Sequence, residues 1–348
     1  MTYHTLRGSV CALALATAAS AQDTELTVFD YSGYEDPAYH QAYIEAHGAS
    51  PSFAFFGDED EAFQKIVSGF QADVTHICAG SVTKWVESGI LEPWDTSRIA
   101  AYDDLNTDLT GTSVAGGEEG FYFLPTDYGS TAIAYNPEEV PEEDVSSLEV
   151  FKNPAYAGRM TIPDNVDDAY ALAYLATGVT DWSQATDEQF EAASNWLREV
   201  HPNLRTYWQD AAELAQLMAS GEILVAWAWN ETPPTMREEG RPIAFNRETP
   251  EGSSLWVCGY VNMADGPGNE DKAYDYVNAM LSEESVQPLL DNGFGSANSA
   301  ALNAVVSEEG LQEAGLEQID VPILAQLPIP NELREKHNET FELIKAGF

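Results

Sequence analysis

The chain has 348 residues, of which 58 are Asp or Glu and 15 are Lys or Arg, for a formal net charge of −43. So acidic a surface repels phosphate backbones and anionic lipid, which argues against a nucleic-acid or membrane-surface role. It would attract cations, although most of this charge is read as a solvated face rather than as a site.

At the N-terminus Arg7 precedes a short apolar run over 10–18 and then Ala19-Ser20-Ala21. A basic start, an apolar stretch too short to span a bilayer and a small-residue end predict a signal peptide over 1–21, cleaved after Ala21, and hence a periplasmic protein. Cys11 has no lipobox before it, so a free soluble protein is expected rather than a lipid-anchored one. No later segment reaches about 18 consecutive apolar residues, the length a transmembrane helix needs. The remaining chain is longer than one hydrophobic core usually serves, so two lobes are expected.

Strand-like and helix-like runs then alternate. Strands are predicted at 25–30, 52–56 and 73–77, with helices at 37–47 and 59–68 between them, which signals an α/β lobe with a mainly parallel sheet. A strand at 131–135 leads into an acidic, proline-containing connector over 136–144, where the chain is expected to cross to a second lobe. There the series resumes with strands at 159–162, 204–208 and 223–229 and helices at 187–200 and 211–220. The helix at 187–200 places Phe190, Ala193 and Leu197 on one face, a core-packing pattern. A strand near 255–261, a helix at 269–282 and an amphipathic helix at 331–345 complete the chain. Internal repeats and low-complexity segments are absent.

Signals of catalysis are also absent from the sequence. No histidine lies in an HExxH or a metal-ligand pair, and Cys78 and Cys258 are too far apart for a local zinc motif. There is no GxSxG elbow, P-loop or GxGxxG opening a helix. Paired acids carry little catalytic information in so acidic a chain. No enzyme activity, cofactor or metal is expected.

Three stretches carry a resemblance. The first strand leads into Asp30-Tyr31-Ser32-Gly33-Tyr34; Leu124-Pro125 is followed by the run from Gly129 to Asn136; and Ala219-Ser220-Gly221-Glu222 precedes Ala226-Trp227-Ala228-Trp229-Asn230. In order and spacing they resemble the spermidine/putrescine-binding family of bacterial periplasmic receptors over essentially the whole mature length. The resemblance implies a two-lobed periplasmic binding protein fold of type II, α/β, whose hinge-linked lobes close on a ligand cleft. It implies lobes of 22–136 with 257–300 and of 137–256 with 301–348. The expected partners are a small amine-bearing solute and the permease subunits of an ABC importer, with no nucleic acid, for a protein expected to be a monomer. Tyr31, Ser32 and Tyr34 match the family's first-lobe loop, Trp229 and Trp256 its two pocket tryptophans, and Asn165 and Asp168 fall where second-lobe acids are expected. An alkylammonium ion between lobes needs a π face and an acceptor for each N–H.

The departures matter as much. Cys258 replaces an amine-binding aspartate, Cys78 replaces a serine, Phe294 stands for a tyrosine and Asn165 for an acid. The resemblance puts both cysteines on the first-lobe side of the cleft, and in an oxidising compartment a Cys78–Cys258 disulfide is expected. Arg205, in the strand-like run ending at Trp208, is expected to approach the cleft with Trp208. A buried arginine fork would suit a ligand carboxylate, which favours a zwitterion such as γ-aminobutyrate, an amino acid or a betaine-type compound as the alternative to a polyamine.

Overall fold

The computed structural model describes residues 22–106, 109 and 120–348. The expected signal peptide over 1–21 lies outside the described residues. The first part of the chain gives β1 (Asp23–Tyr31), α1 (Gln41–His47), β2 (Pro51–Phe56), α2 (Glu59–Val67), β3 (Val74–Cys78), α3 (Val82–Glu87), β4 (Leu91–Glu92) and β5 (Phe123–Tyr135). Then follow β6 (Met160–Pro163), α4 (Val166–Ala176), α5 (Asp187–Val200), β7 (Leu204–Trp208), α6 (Ala211–Ala219), β8 (Val225–Trp229), α7 (Thr232–Glu238) and β9 (Ala244–Asn246). The chain ends with β10 (Ser253–Met263), α8 (Glu270–Met280), α9 (Glu283–Asp291), β11 (Gly295–Ser296), α10 (Ser299–Val305), α11 (Glu308–Glu313), β12 (Ile323–Ala325) and α12 (Asn331–Lys345).

The strands hydrogen-bond in the order β2-β1-β3-β10-β5-β8-β6-β7. Pairing is parallel for β1 with β2 and β3 and for β6 with β7 and β8, as helical crossovers demand, whereas β10 runs antiparallel to β3 and β5, and β5 to β10 and β8; β10 also pairs with β12 in parallel. These two long strands join the lobes. One half of β5 pairs with β10 and the other with β8, so the chain passes from one lobe to the other without leaving the sheet.

Two cores flank this junction. The first gathers Phe29, Trp85, Phe123, Tyr260 and Tyr276; the second gathers Phe151, Tyr170, Tyr174, Trp182 and Trp227. In the second, α4 is buried on nearly every side, as its almost unbroken apolar sequence requires. By contrast α5 is amphipathic and buries Phe190, Ala193 and Leu197 as its spacing predicts, behind a capping box of Thr186 and Gln189. Residues from Ala301 onward, expected with the second lobe, begin by packing on the first-lobe side. Ala301, Leu302 and Ala314 cluster with Val286 and Leu290 of α9, because this apolar face meets the one α9 leaves uncovered. Among the described residues, no helix is long and apolar enough to cross a membrane.

Candidate functional site

Trp227 and Trp229, two residues apart on β8, lie on the same face of the strand, with Trp229 at its end. Trp227 is fully buried in the second core, while Trp229 is partly exposed and touches both the first core and a satellite cluster of the second lobe. Trp229 thus stands between the lobes. On β10 is Trp256, whose ring lies against Gly129 of β5 so closely that any Cβ at Gly129 would collide with it. Trp256 meets Phe294 edge-on at 5.7 Å, Phe294 stacks on Tyr34 at 5.5 Å, and Tyr34 lies 6.4 Å from Tyr31. The result is a continuous aromatic wall on the first lobe with a single indole opposite.

The acid of the site is Asp168, in the first turn of α4, where the helix N-terminus favours negative charge. Its Oδ1 accepts from the Thr131 hydroxyl (2.7 Å) and the Gln326 amide (2.8 Å), and its Oδ2 from the Trp229 indole N–H (2.7 Å). Among the described residues no ion pair involves Asp168. Burial raises its pKa, against those three hydrogen bonds. A carboxylate held by neutral donors beside an indole is an acceptor for a cation brought by a ligand. A second carboxylate, Glu231, follows two residues after Trp229 and interacts electrostatically with Tyr34 and Tyr39 of the opposite lobe. Burial, with Asp210 nearby, pushes it up to about 7.

Beneath the aromatic wall the fully buried His76 bridges two buried aspartates. Its Nδ1 lies 2.7 Å from Asp30 Oδ1 and its Nε2 3.1 Å from Asp127 Oδ1, so both ring nitrogens donate in the imidazolium form. Burial alone would depress the imidazole, but Asp30 and Asp127 outweigh it and raise the pKa to about 10. Tyr34 O–H donates to Asp127 Oδ2 at 2.7 Å and Tyr260 O–H to Asp30 Oδ2 at 2.7 Å, which fixes the Tyr34 ring from below. Tyr31 is fixed differently, its hydroxyl donating to Glu59 Oε1 at 3.0 Å.

Of the residues expected from the sequence, Tyr31, Tyr34, Asp168, Trp229 and Trp256 come together at the junction. Ser32 is exposed at the tip of the loop beside them. Asn165 caps α4 by accepting from the Asp168 N–H at 3.0 Å, so it orients the acid. Trp208 is fully buried, donates its indole N–H to Trp227 O (3.1 Å) and meets Trp229 edge-on at 4.5 Å; it backs the pocket tryptophan instead of lining the cleft. Cys78 and Cys258 are direct cross-strand partners on β3 and β10 and form the expected disulfide.

Arg205 is the correction. The terminal strand β7 turns Trp208 inward and Arg205 outward, where its side chain is 54% exposed and pairs with Glu222 at 2.7 Å. An exposed pair of this kind contributes less than about 1 kcal/mol. Arg205→Ala is therefore expected to leave solute affinity within about twofold and stability nearly unchanged, checked by calorimetry and urea unfolding. Thr131, Gln326 and Glu231 were not singled out. Thr131 and Gln326 left no local signal, while Glu231 closes the tryptophan segment but is one acid among 58. Among the described residues no cluster of three or more His, Cys, Asp or Glu could hold a metal ion.

The bacterial extracellular solute-binding protein family matches the chain over residues 38–313. The chain belongs to that family. It is therefore a solute-binding protein of the ABC-importer class that takes a small molecule, and not an enzyme. Among its relatives, the spermidine/putrescine-binding periplasmic protein of Escherichia coli is 21% identical, covering 86% of this chain and 84% of the relative. The putrescine/agmatine-binding protein of Pseudomonas aeruginosa is 24% identical over 97% of this chain and 99% of the relative. The solved spermidine/putrescine substrate-binding protein PotD of Streptococcus pneumoniae superposes with a TM-score of 0.72 at 18% identity, covering 93% of this chain and 99% of its own. The fold is the two-lobed one of periplasmic binding proteins.

Proposed function

We propose that this protein is the periplasmic receptor of a polyamine-type ABC importer and that it takes a short diamine between its lobes. Asp168 carries the reading: a buried carboxylate with three neutral donors and, among the described residues, no cation, touching the indole that stands between the lobes. The relatives named above bind putrescine or agmatine and spermidine, which agrees with that chemistry. In this reading one ammonium group meets Asp168 while Trp229, Trp256 and Tyr31 enclose the methylenes, each cation–π contact adding about 0.5–2 kcal/mol. Glu231 serves the other end of the diamine, in place of the aspartate that Cys258 removed. Lobes of 22–136 with 257–300, onto which the segment 301–314 packs, and of 137–256 with the rest of the chain close about β5 and β10, in a monomer delivered to the periplasm by a cleaved segment over 1–21.

A zwitterion loses the anchor expected for its carboxylate, because Arg205 faces solvent. One observation still favours a solute with an acceptor: the buried indole N–H of Trp256 has no partner among the described residues. Calorimetry of unfolded and refolded, ligand-stripped protein against putrescine, spermidine and γ-aminobutyrate separates the readings. Putrescine is expected to bind, and Asp168→Asn to weaken it about a hundredfold, since removing one member of a buried charge pair costs about 2–5 kcal/mol. Putrescine affinity that survives Asp168→Asn, or tight binding of γ-aminobutyrate alone, would overturn the diamine reading.

A further inference from the structure

A second acidic cluster lies beside the aromatic wall, and it already holds a cation belonging to the protein. Arg334 of α12 is buried, with Nη1 2.8 Å from both carboxylate oxygens of Asp167, the residue before Asp168 on α4. Its Nη2 lies 3.6 Å from Glu59 Oε2 and 4.0 Å from Asp60 Oδ2, both in the first turn of α2 on the opposite lobe. Glu59 in turn accepts from Tyr31 O–H and from the N–H of Cys78 at 2.8 Å, so the guanidinium is one carboxylate away from the candidate site. A Cβ on Gly80, just past Cys78, would press on the Asp167 carboxylate and reach 3.5 Å from Arg334 Nη1, so this corner is filled.

Three carboxylates meet Arg334 here, and among the described residues the only other cation paired with them is Lys84 on Asp60. Buried acids so arranged would bind a free ammonium or guanidinium group. We infer that Arg334 is a specificity-determining residue: its tethered guanidinium occupies what would otherwise be a further cation subsite at the Tyr31 end of the cleft, and thereby rejects solutes with a third cationic centre. The inference rests on the amine-receptor reading and deepens it. A built-in positive charge repels an additional ammonium more strongly than it affects a diamine seated at Asp168, which is selection by exclusion. A pocket of about 360 Å³ between α2, α3 and α12, lined by Phe63, Lys84, Asn331, Arg334 and Asn338, reaches the same guanidinium from outside.

The test is the ratio of putrescine to spermidine affinity in calorimetry of the refolded full chain and of Arg334→Ala. The wild type is expected to prefer putrescine, and Arg334→Ala to shift the ratio toward spermidine by at least tenfold, with putrescine itself changing less than threefold. Should Arg334→Ala fail to fold, the double variant Arg334→Met/Asp167→Asn removes one charge of each sign and is read for the same shift. An unchanged ratio in a wild type that binds putrescine overturns the role of Arg334 alone. A wild type that binds neither amine overturns the amine-receptor reading, and this inference with it.

Discussion

Replacing His76 with glutamine is expected to destabilise the protein by about 3–5 kcal/mol, the cost of removing the cation from a buried ionic group. Asp30 and Asp127 are both fully buried, and His76 is the cation between them. A glutamine amide, with two N–H donors and no charge, could neutralise neither of them. The same imidazolium gives stability a sign with pH. Its folded pKa, about 10, lies above the ordinary value of 6.5, so its contribution is complete below about 6.5 and is lost as pH rises toward 10. Urea midpoints of the wild type should therefore fall between pH 6.5 and 10, and those of His76→Gln should fall less. A variant within 1 kcal/mol of the wild type at pH 6.5, with the same slope above it, would show that the aspartates do not depend on the imidazolium.

The second large effect belongs to the disulfide. Cys78 and Cys258 are 180 residues apart in sequence, and closing so long a loop restricts the unfolded chain by an amount worth roughly 5 kcal/mol at most. Because β3 and β10 are paired over five residues in any case, the folded state needs the bond little, and nearly all of the effect acts on the unfolded ensemble. Cys78→Ser/Cys258→Ser is expected to lose about 2–5 kcal/mol in urea unfolding, and reduction of the wild type to reproduce that loss. Equal midpoints for the oxidised, reduced and double-serine proteins would sink the expectation. The bond also explains the chemistry of the wall: sulfur stands where an amine-binding carboxylate is expected, so the positive end of a solute has to find Asp168 or Glu231 instead.

What could be read from the sequence depended on how each feature is encoded. Local patterns were legible. The apolar spacing of 187–200, which puts Phe190, Ala193 and Leu197 on one face, is written in neighbouring residues. Arg205 misled because alternation assigns a residue to one of two faces and does not say which face meets the cleft. In β7, packing of Trp208 against Trp229 decided it. Gln326 was illegible for a different reason: it follows a three-residue strand with no periodicity to read. Arg334 did leave a mark. It and His337 sit on the buried stripe of α12 with Phe341 and Ile344, and a charged residue at a core position of an amphipathic helix signals a buried partner, but not which element supplies it.

The position of β10 has a consequence for the order in which the protein can be put together. β10 lies between β3 and β5, so the sheet of the first lobe has a gap until residues 253–263 exist. The sheet of the second lobe, from β5 through β8 and β6 to β7, needs only residues 123–229. A chain delivered from its N-terminus therefore completes the later lobe's sheet first and holds β3 as an open edge meanwhile. Unpaired edges of this kind recruit other chains, and distant pairings form slowly. During that interval the open edge of β3 stays unpaired, and only when β10 arrives can the two cysteines meet and seal the seam.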